Sequence, residues 1–205
     1  MIADPAPCSL SDKRHRSDGA ADEETDLARI PYADPNEPEA RPLVERIVRE
    51  RGSLLHLYAM LLHSPPVAEG WLGYLTAIRH HCGLAGSLRE MVIMRIAHLN
   101  GAPYEAEQHA PIALKEGLTQ AQVDGLADWR AQDLYDARQQ AVLAYCDSMT
   151  REIHVPKPVF EAVRAELDAR ELVELTATIG AYNMVSRFLE AMQIHSGDPL
   201  PDAAA

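Results

Sequence analysis

Apolar residues recur at helical spacing through most of the chain from Leu43 onward. The first such stretch, PLVERIVRERG, has apolar side chains at 43, 44, 47 and 48 and ends at Gly52, a residue that favours helix termination. No stretch alternates apolar and polar residues between turn signals, as a half-buried strand would. The pattern predicts an all-α protein, a multi-helix bundle of about eight helices with short connections. The other stretches predicted to be helical are LLHLYAMLLHSP, VAEGWLGYLTAIRHHCG, SLREMVIMRIAHLNG, PYEAEQHAPIALKEG, TQAQVDGLADW, DARQQAVLAYCDSMTRE, PKPVFEAVRAEL and ARELVELTATIGAYNMVSRFLEAMQIH.

The two ends of the chain differ in composition from this helical part. Residues 1–28 are polar, charged and small, which is typical of a disordered acidic tail with little to bury. The stretch RIPYADPNEPEARP that follows is rich in proline and predicts an extended segment along the domain surface. We therefore expect one all-helical domain over residues 29–197 and a flexible C-terminus over residues 198–205.

The composition excludes several classes of protein. Of the 205 residues 47% are apolar, enough for a sizeable core, and the formal net charge is −12. An acidic chain is a poor partner for nucleic acid or an anionic membrane, since their phosphates need Lys and Arg. No apolar run is long enough to cross a bilayer, and the N-terminus lacks the apolar segment of a secretory signal. We expect a cytoplasmic protein.

The cysteine and histidine spacings predict no metal site. Cys8, Cys82 and Cys146 are far apart and form neither a C-x-x-C pair nor a zinc-binding pattern. We expect reduced thiols and a core position for Cys146, which lies in an apolar helical stretch. The adjacent His80 and His81 lack the spacing and the nearby carboxylates that a metal ion requires.

The stretch NGAPYEAEQHAP, residues 100–111, contains the residues best suited to catalysis. Glu105 and His109 are four residues apart, so their side chains share one face of a helix. A carboxylate beside an imidazole fixes the tautomer of the ring and raises its pKa above the ordinary value of about 6.5. Such a histidine can exchange protons near neutral pH, as general acid–base catalysis requires. Tyr104 adds a hydroxyl at the start of the same helix.

Structural roles also account for these residues. A Glu–His pair at this spacing is common on exposed helix surfaces, where it contributes only a few tenths of a kcal/mol. Glu90 follows Ser87 by three residues, the spacing of a capping box in which the glutamate binds a backbone N–H. Arg95, on the same largely apolar helix, needs a polar partner if it is buried.

The stretch LREMVIMRIAHLNGAPYEAEQHAPIALKEGLTQAQVDGL closely resembles the core of the carboxymuconolactone decarboxylase family, which includes the alkylhydroperoxidase D-like proteins. The flanking stretches RIPYADP, LLHSPPVAEGW and ELVELTATIGAYNMVSRFLEAM resemble longer members of that family, so that the resemblance extends over residues 29–194. It implies an all-helical bundle and a homo-oligomer, a trimer or hexamer. The helices around Met91–Leu99 and Leu172–Met192 also predict an oligomer, since they carry more apolar surface than a monomer would cover.

The peroxidase branch of the family carries a Glu, eleven residues, Cys-x-x-Cys, three residues and a His. On this chain the Glu is Glu90 and the His is His109, but the two cysteine positions hold Ala102 and Glu105. Thiol peroxidases need one thiolate to attack the peroxide and a second thiol to resolve the sulfenic acid. A mechanism through this motif is therefore excluded, and a peroxidase-related role would need another thiol, such as Cys82.

The decarboxylase branch lacks the cysteine pair, and the resemblance to it implies chemistry without a cofactor. Loss of carbon dioxide from a lactone leaves an enolate that must be protonated on carbon. The resemblance implies a protonated His109 as the donor, Glu90 and Glu105 as orienting carboxylates, and Tyr104 as a hydrogen-bond donor to a substrate oxygen. No cation within residues 100–111 would bind a dicarboxylate, although Arg95 could reach the same pocket.

The leading hypothesis is an acid–base enzyme similar to the carboxymuconolactone decarboxylases, a lyase whose small-molecule substrate is a lactone or carbonyl acid. Two other functions stay open. One is an alkylhydroperoxidase-related antioxidant protein that acts through Cys82. The other is a non-catalytic oligomer that binds a small ligand.

Overall fold

The computed structural model describes residues 27–202. This part of the chain contains nine α-helices, a π turn and a short 3-10 segment, and no strand occurs in it. The all-α prediction is confirmed, and the predicted tail over residues 1–28 lies almost wholly outside the described residues. None of the described helices is long and apolar enough to cross a membrane. The helices are α1 (Arg41–Arg51), α2 (His56–Leu61), α3 (Pro65–Thr76), α4 (Gly86–Asn100), α5 (Pro103–Lys115), α6 (Gln120–Gly125), α7 (Ala137–Glu152), α8 (Lys157–Glu166) and α9 (Ala169–Met192); the π turn (Ala77–His81) continues α3 and the 3-10 segment (Leu126–Ala131) follows α6.

Helix α4 is the centre of the bundle. Every side chain from Leu88 to Ala97 is buried, because α5, α7 and α9 all pack against this helix. A helix that is apolar around most of its circumference is suited to such a position. The apolar surface of α4, which the sequence analysis assigned to contacts between subunits, is therefore covered within a single chain.

A buried ion pair joins α4 to α7. Arg95 donates to both carboxylate oxygens of Asp147, at 2.6 and 3.0 Å, and to two backbone carbonyls of the 3-10 segment. Trp129 and Arg130 donate to the same carboxylate. With this many hydrogen bonds the pair can remain buried. Arg95 is a structural residue, and the expectation that it reaches the candidate site is wrong.

Helix ends follow the sequence signals at several positions. Thr119 and Gln122 have the spacing of a capping box and form one at the start of α6, and Gly101 ends α4 in the left-handed conformation, with φ 64°. At the start of α4 the prediction is wrong, since the N-cap position is Ala85 and no side chain caps it. Glu90 is therefore not part of a capping box, and its carboxylate points into the protein.

The two ends of the described chain meet over one side of the bundle. Asp198 is buried, its carboxylate accepts a hydrogen bond from the Tyr32 hydroxyl at 2.5 Å, and its backbone carbonyl lies 2.9 Å from His56 Nε2. The His56 ring contacts Tyr104 edge-on, with ring centroids 5.8 Å apart. Asp198, one residue beyond the expected domain boundary at residue 197, thus belongs to the packing that supports Tyr104.

Candidate active site

A cavity of about 200 Å³ lies between α2, α5, α9 and the junction of α3 with its π turn. This volume is below the roughly 300–1,000 Å³ of typical ligand sites, so the cavity suits a small molecule. Tyr104, Glu105 and His109 line it, and Glu90 lies directly behind His109. The walls are otherwise mainly apolar, formed by Leu55, Leu57, Leu75, Ile112, Val185 and Leu189.

His109 is held by Glu90 and forms no hydrogen bond with Glu105. Its Nδ1 lies 2.7 Å from Oε2 of Glu90. Glu90 itself has no solvent exposure. The second oxygen of Glu90 accepts a hydrogen bond from Arg89 Nε at 3.0 Å. The Tyr182 ring packs edge-on against the imidazole, with centroids 5.1 Å apart. Both carboxylate oxygens of Glu90 have donors, which stabilises the ionised carboxylate.

Burial and hydrogen bonding set the protonation states of this pair. Burial alone would raise the pKa of Glu90, but the hydrogen bonds and charges of His109 and Arg89 hold it below the ordinary value. Burial lowers the pKa of His109, and the Glu90 carboxylate offsets only part of that decrease. The prediction from the sequence that the pKa of His109 is raised is therefore wrong. Near neutral pH the imidazole is neutral, donates Nδ1–H to Glu90 and presents Nε2 as a proton acceptor.

Glu105 is the second buried carboxyl group of the site, and its surroundings differ from those of Glu90. Glu105 is only 2% exposed, and neither of its carboxyl oxygens has a hydrogen-bond partner among the described residues. Burial raises the pKa of Glu105 well above its ordinary value, and the nearby charge of Glu190 raises it further. An isolated carboxylate would be very costly in such a place. Burial without a hydrogen-bond donor therefore favours the protonated form of Glu105.

Tyr104 contributes a neutral hydroxyl to the same cavity. Burial raises the pKa of Tyr104 to about 12, and the nearby backbone N–H groups of Leu57 and His56 counteract part of this increase. No hydrogen bond of good geometry engages the buried hydroxyl within the described chain. It is available to donate to an oxygen of a bound molecule.

The described thiols lie outside the cavity wall. Cys146 is fully buried, and burial raises its pKa to about 12. Burial and then the charge of Glu174 raise the pKa of the partly buried Cys82. Both changes disfavour the thiolate that attack on a peroxide requires. Cys8 lies outside the described residues, and within residues 27–202 no cluster of three or more His, Cys, Asp or Glu is placed to hold a metal ion.

Three residues of the site were not predicted from the sequence. Arg89 binds Glu90, Tyr182 packs on His109, and Arg79 lines the cavity. The position of Arg89 directly before Glu90 was a usable signal. No local sequence signal identifies Tyr182 or Arg79 as site residues, because each reaches the cavity only through the packing of helices that are distant in sequence.

Comparisons with known proteins support the family suggested by the sequence. Residues 65–148, which include Glu90, Glu105 and His109, match the model of the Carboxymuconolactone decarboxylase family. The protein YdfG of Bacillus subtilis (strain 168) is 27% identical over 106 residues, which is 51% of this chain and 72% of YdfG.

Solved structures show the same fold. A peroxidase-related protein from Ralstonia eutropha JMP134, with an alkylhydroperoxidase AhpD core, superposes with a TM-score of 0.73 at 19% identity, over 84% of this chain and 93% of that one. The debrominase Bmp8, in a cysteine-to-alanine form bound to 2,3,4-tribromopyrrole, superposes with a TM-score of 0.67 at 18% identity, over 80% and 89% of the two chains. At these identities the likeness concerns the fold alone.

Titration of His109 by NMR tests the proton arrangement of the site. We expect a pKa below the ordinary histidine value of about 6.5. The Glu90→Gln variant should lower it further, because Glu90 is the group that raises it. Glu105→Gln should change it little, since the favoured protonated form of Glu105 carries no charge. A pKa above the ordinary value, or one that rises in Glu90→Gln, would contradict this arrangement; His109→Gln identifies the resonance.

Proposed function

We propose that this chain, which belongs to the carboxymuconolactone decarboxylase family, is an acid–base enzyme that acts on a small lactone or carbonyl acid. The observation that carries the proposal is the pairing of two opposite groups in one small cavity. His109 binds Glu90 through Nδ1, which leaves Nε2 as a proton acceptor, and the buried carboxyl group of Glu105 has no donor among the described residues, which favours its protonated form. An enzyme that moves protons near neutral pH needs one group of each kind.

The residues support the following proton transfers. His109 Nε2 takes a proton from the carbon next to the substrate carbonyl, and the electron pair of that C–H bond passes to the carbonyl oxygen. The Tyr104 hydroxyl donates a hydrogen bond to the resulting enolate oxygen. Glu105 then gives its proton to carbon, and both groups return to their starting states by exchange with water. Glu90 remains ionised and stabilises the imidazolium that forms.

The same acid serves a decarboxylation. The bond between the substrate carbon and its carboxylate breaks, carbon dioxide leaves, and the bonding electron pair stays on the substrate as an enolate. The Glu105 proton then takes the place of the lost carbon dioxide. This reaction would make the protein a lyase, with Glu105 rather than His109 as the proton donor. Glu90 then acts as a positioning residue for His109.

A non-catalytic ligand-binding protein would use the same cavity. Only a measurement of turnover distinguishes this role from the proposed enzyme. An antioxidant role has weaker support, because the described thiols lie outside the cavity wall and have raised pKa values. The peroxidase-related names describe the structural neighbours and carry no argument about the activity of this chain.

Assembly into a homo-oligomer is also part of the proposal. On α9 the exposed residues Val173, Gly180 and Met184 lie within about one face of the helix, since seven and eleven residues are close to whole numbers of turns. Val173 is 68% exposed and Met184 38%. Tyr74, 45% exposed, extends this apolar surface, and its hydroxyl lies 3.4 Å from the Ala177 carbonyl of α9.

Light scattering after size exclusion tests the assembly. We expect a trimer or hexamer at micromolar concentration. The double variant Val173→Glu, Met184→Glu should form a smaller species, because charges at these positions would oppose burial of the apolar surface of α9. Leu114→Glu, at a position 40% exposed on α5, is the control and should leave the mass unchanged. A monomeric wild type, or a mass insensitive to the α9 changes, would refute this part.

Exchange of carbon-bound hydrogen for deuterium tests the chemistry. Lactones and keto acids are incubated with the protein in heavy water and followed by NMR. We expect exchange at the carbon next to the carbonyl, with loss of carbon dioxide as a second readout. His109→Gln and Glu105→Gln should each reduce the rate by roughly a hundredfold or more, the usual contribution of a positioned acid or base.

Matched substitutions far from the cavity serve as controls for this assay. His154→Gln and Glu161→Gln change the same residue types at exposed positions and should leave the rate unaltered. Exchange that survives both cavity variants would refute the proposal. Peroxide turnover that disappears only in Cys82→Ser would support the antioxidant alternative.

A further inference from the structure

The cavity wall contains an irregular turn of helix. At its end α3 widens into the π turn Ala77–His81, whose wider spacing is marked by a hydrogen bond from the Cys82 N–H to the Ala77 carbonyl at 3.1 Å. An inserted residue of this kind changes which side chains face inward, and such turns occur often at functional sites. Here the consecutive residues Arg79 and His80 both line the cavity.

Two guanidinium groups line the cavity, and only one of them has partners within the protein. Arg51 donates to Thr76 Oγ1 at 2.8 Å and to the Tyr58 hydroxyl at 3.3 Å. Arg79 is partly buried, yet it forms no hydrogen bond or ion pair with another residue in the described range 27–202. A cation that is withdrawn from water without an anionic partner is favourably placed to bind one from outside.

The other ionisable groups of the wall leave the charge of Arg79 unneutralised. The Glu50 carboxylate already accepts hydrogen bonds from Thr76 at 2.6 Å and from Arg46 at 2.8 Å. Burial, followed by the charge of Arg79, lowers the pKa of His80, so this side chain is neutral near neutral pH. Burial favours the protonated form of Glu105, as described above. Arg79 is therefore a cation of the cavity wall to which no described carboxylate is hydrogen-bonded.

We infer that Arg79 is the residue that binds an acid group of the ligand, and that the cavity takes a small organic carboxylate with an apolar or cyclic body. The carboxylate pairs with the guanidinium, which can donate two parallel hydrogen bonds to it. The body lies against the apolar wall, where Leu75 on the preceding turn of α3 is nearest in sequence. This rests on the proposed function in one respect, since it places the reacting carbon at His109 and Glu105.

The fate of the bound acid group follows from the same contact. An ion pair with Arg79 stabilises the carboxylate as an anion in the bound substrate. Loss of that carboxylate as carbon dioxide would remove the favourable contact in the transition state, which slows such a reaction. The group bound by Arg79 is therefore retained in the product and orients the rest of the molecule, and any carbon dioxide released comes from a second carboxylate of the substrate.

Calorimetric titration of the full chain with benzoate and with benzamide, its uncharged analogue, tests the inference. We expect benzoate to bind the wild type and to bind Arg79→Gln roughly tenfold to a hundredfold more weakly, as expected for loss of hydrogen bonds to a charged group. Arg79→Lys should bind with intermediate affinity, because it keeps the charge but not the planar fork. The affinity for benzamide should be the same in wild type and Arg79→Gln.

Arg151→Gln is the matched control, since it removes the same charge from an exposed position outside the cavity and should bind benzoate like the wild type. Equal benzoate affinity in Arg79→Gln and wild type would overturn the inference, and so would failure of the wild type to bind benzoate at millimolar concentration. Repeating the titration in His109→Gln separates binding from chemistry. If exchange activity is absent but benzoate binding still depends on Arg79, the proposed function fails and the inference stands.

Discussion

The chemistry of the cavity depends on the burial of one carboxylate, that of Glu90. Its place on α4, the helix that α5, α7 and α9 surround, removes it from water completely. An ionised carboxylate can remain there only with donors on its oxygens, and Arg89 and His109 provide them. That requirement fixes the tautomer of His109, because Nδ1 must carry the hydrogen. The second nitrogen of the ring is thereby left as a proton acceptor.

Glu105 shows how strongly the surroundings decide the behaviour of a residue type. Glu90 and Glu105 are both glutamates with almost no exposure, and they lie on neighbouring helices. Glu90 has two donors, which favour the ionised carboxylate, whereas Glu105 has none among the described residues, which favours the protonated acid. Two carboxyl groups in opposite states are a general means by which one site provides both an acid and a base. Arg79 adds a positive charge to the wall of the same cavity.

Periodicity and local signals predicted the parts of the fold that depend on neighbours in sequence. The helices, the capping box at Thr119 and the stop at Gly101 follow from the order of residues over a few positions. The family resemblance aligned Glu90 with His109, which the structure brings together across nineteen residues. By contrast, Ser87 and Glu90 have the spacing of a capping box, but burial against α5 gave Glu90 a different partner.

The errors arose where tertiary packing outweighed the local pattern. Arg95 finds Asp147 fifty-two residues away, which no local spacing reveals. The predicted increase in the pKa of His109 considered a neighbouring carboxylate and not the burial of the ring, which has the larger effect. The orientation of Arg79 depends on a π turn, and sequence periodicity does not distinguish that turn from a regular helix end.

The claim that Glu105 is protonated is tested most directly by infrared difference spectroscopy of wild type against Glu105→Gln at neutral pH. We expect the variant to lose a carbonyl band of a protonated carboxylic acid, and we expect this band to shift in heavy water. The Glu90→Gln spectrum should instead show loss of carboxylate bands. If Glu105→Gln also removes carboxylate bands and no acid band, Glu105 is ionised and the assignment of acid and base in this site is wrong.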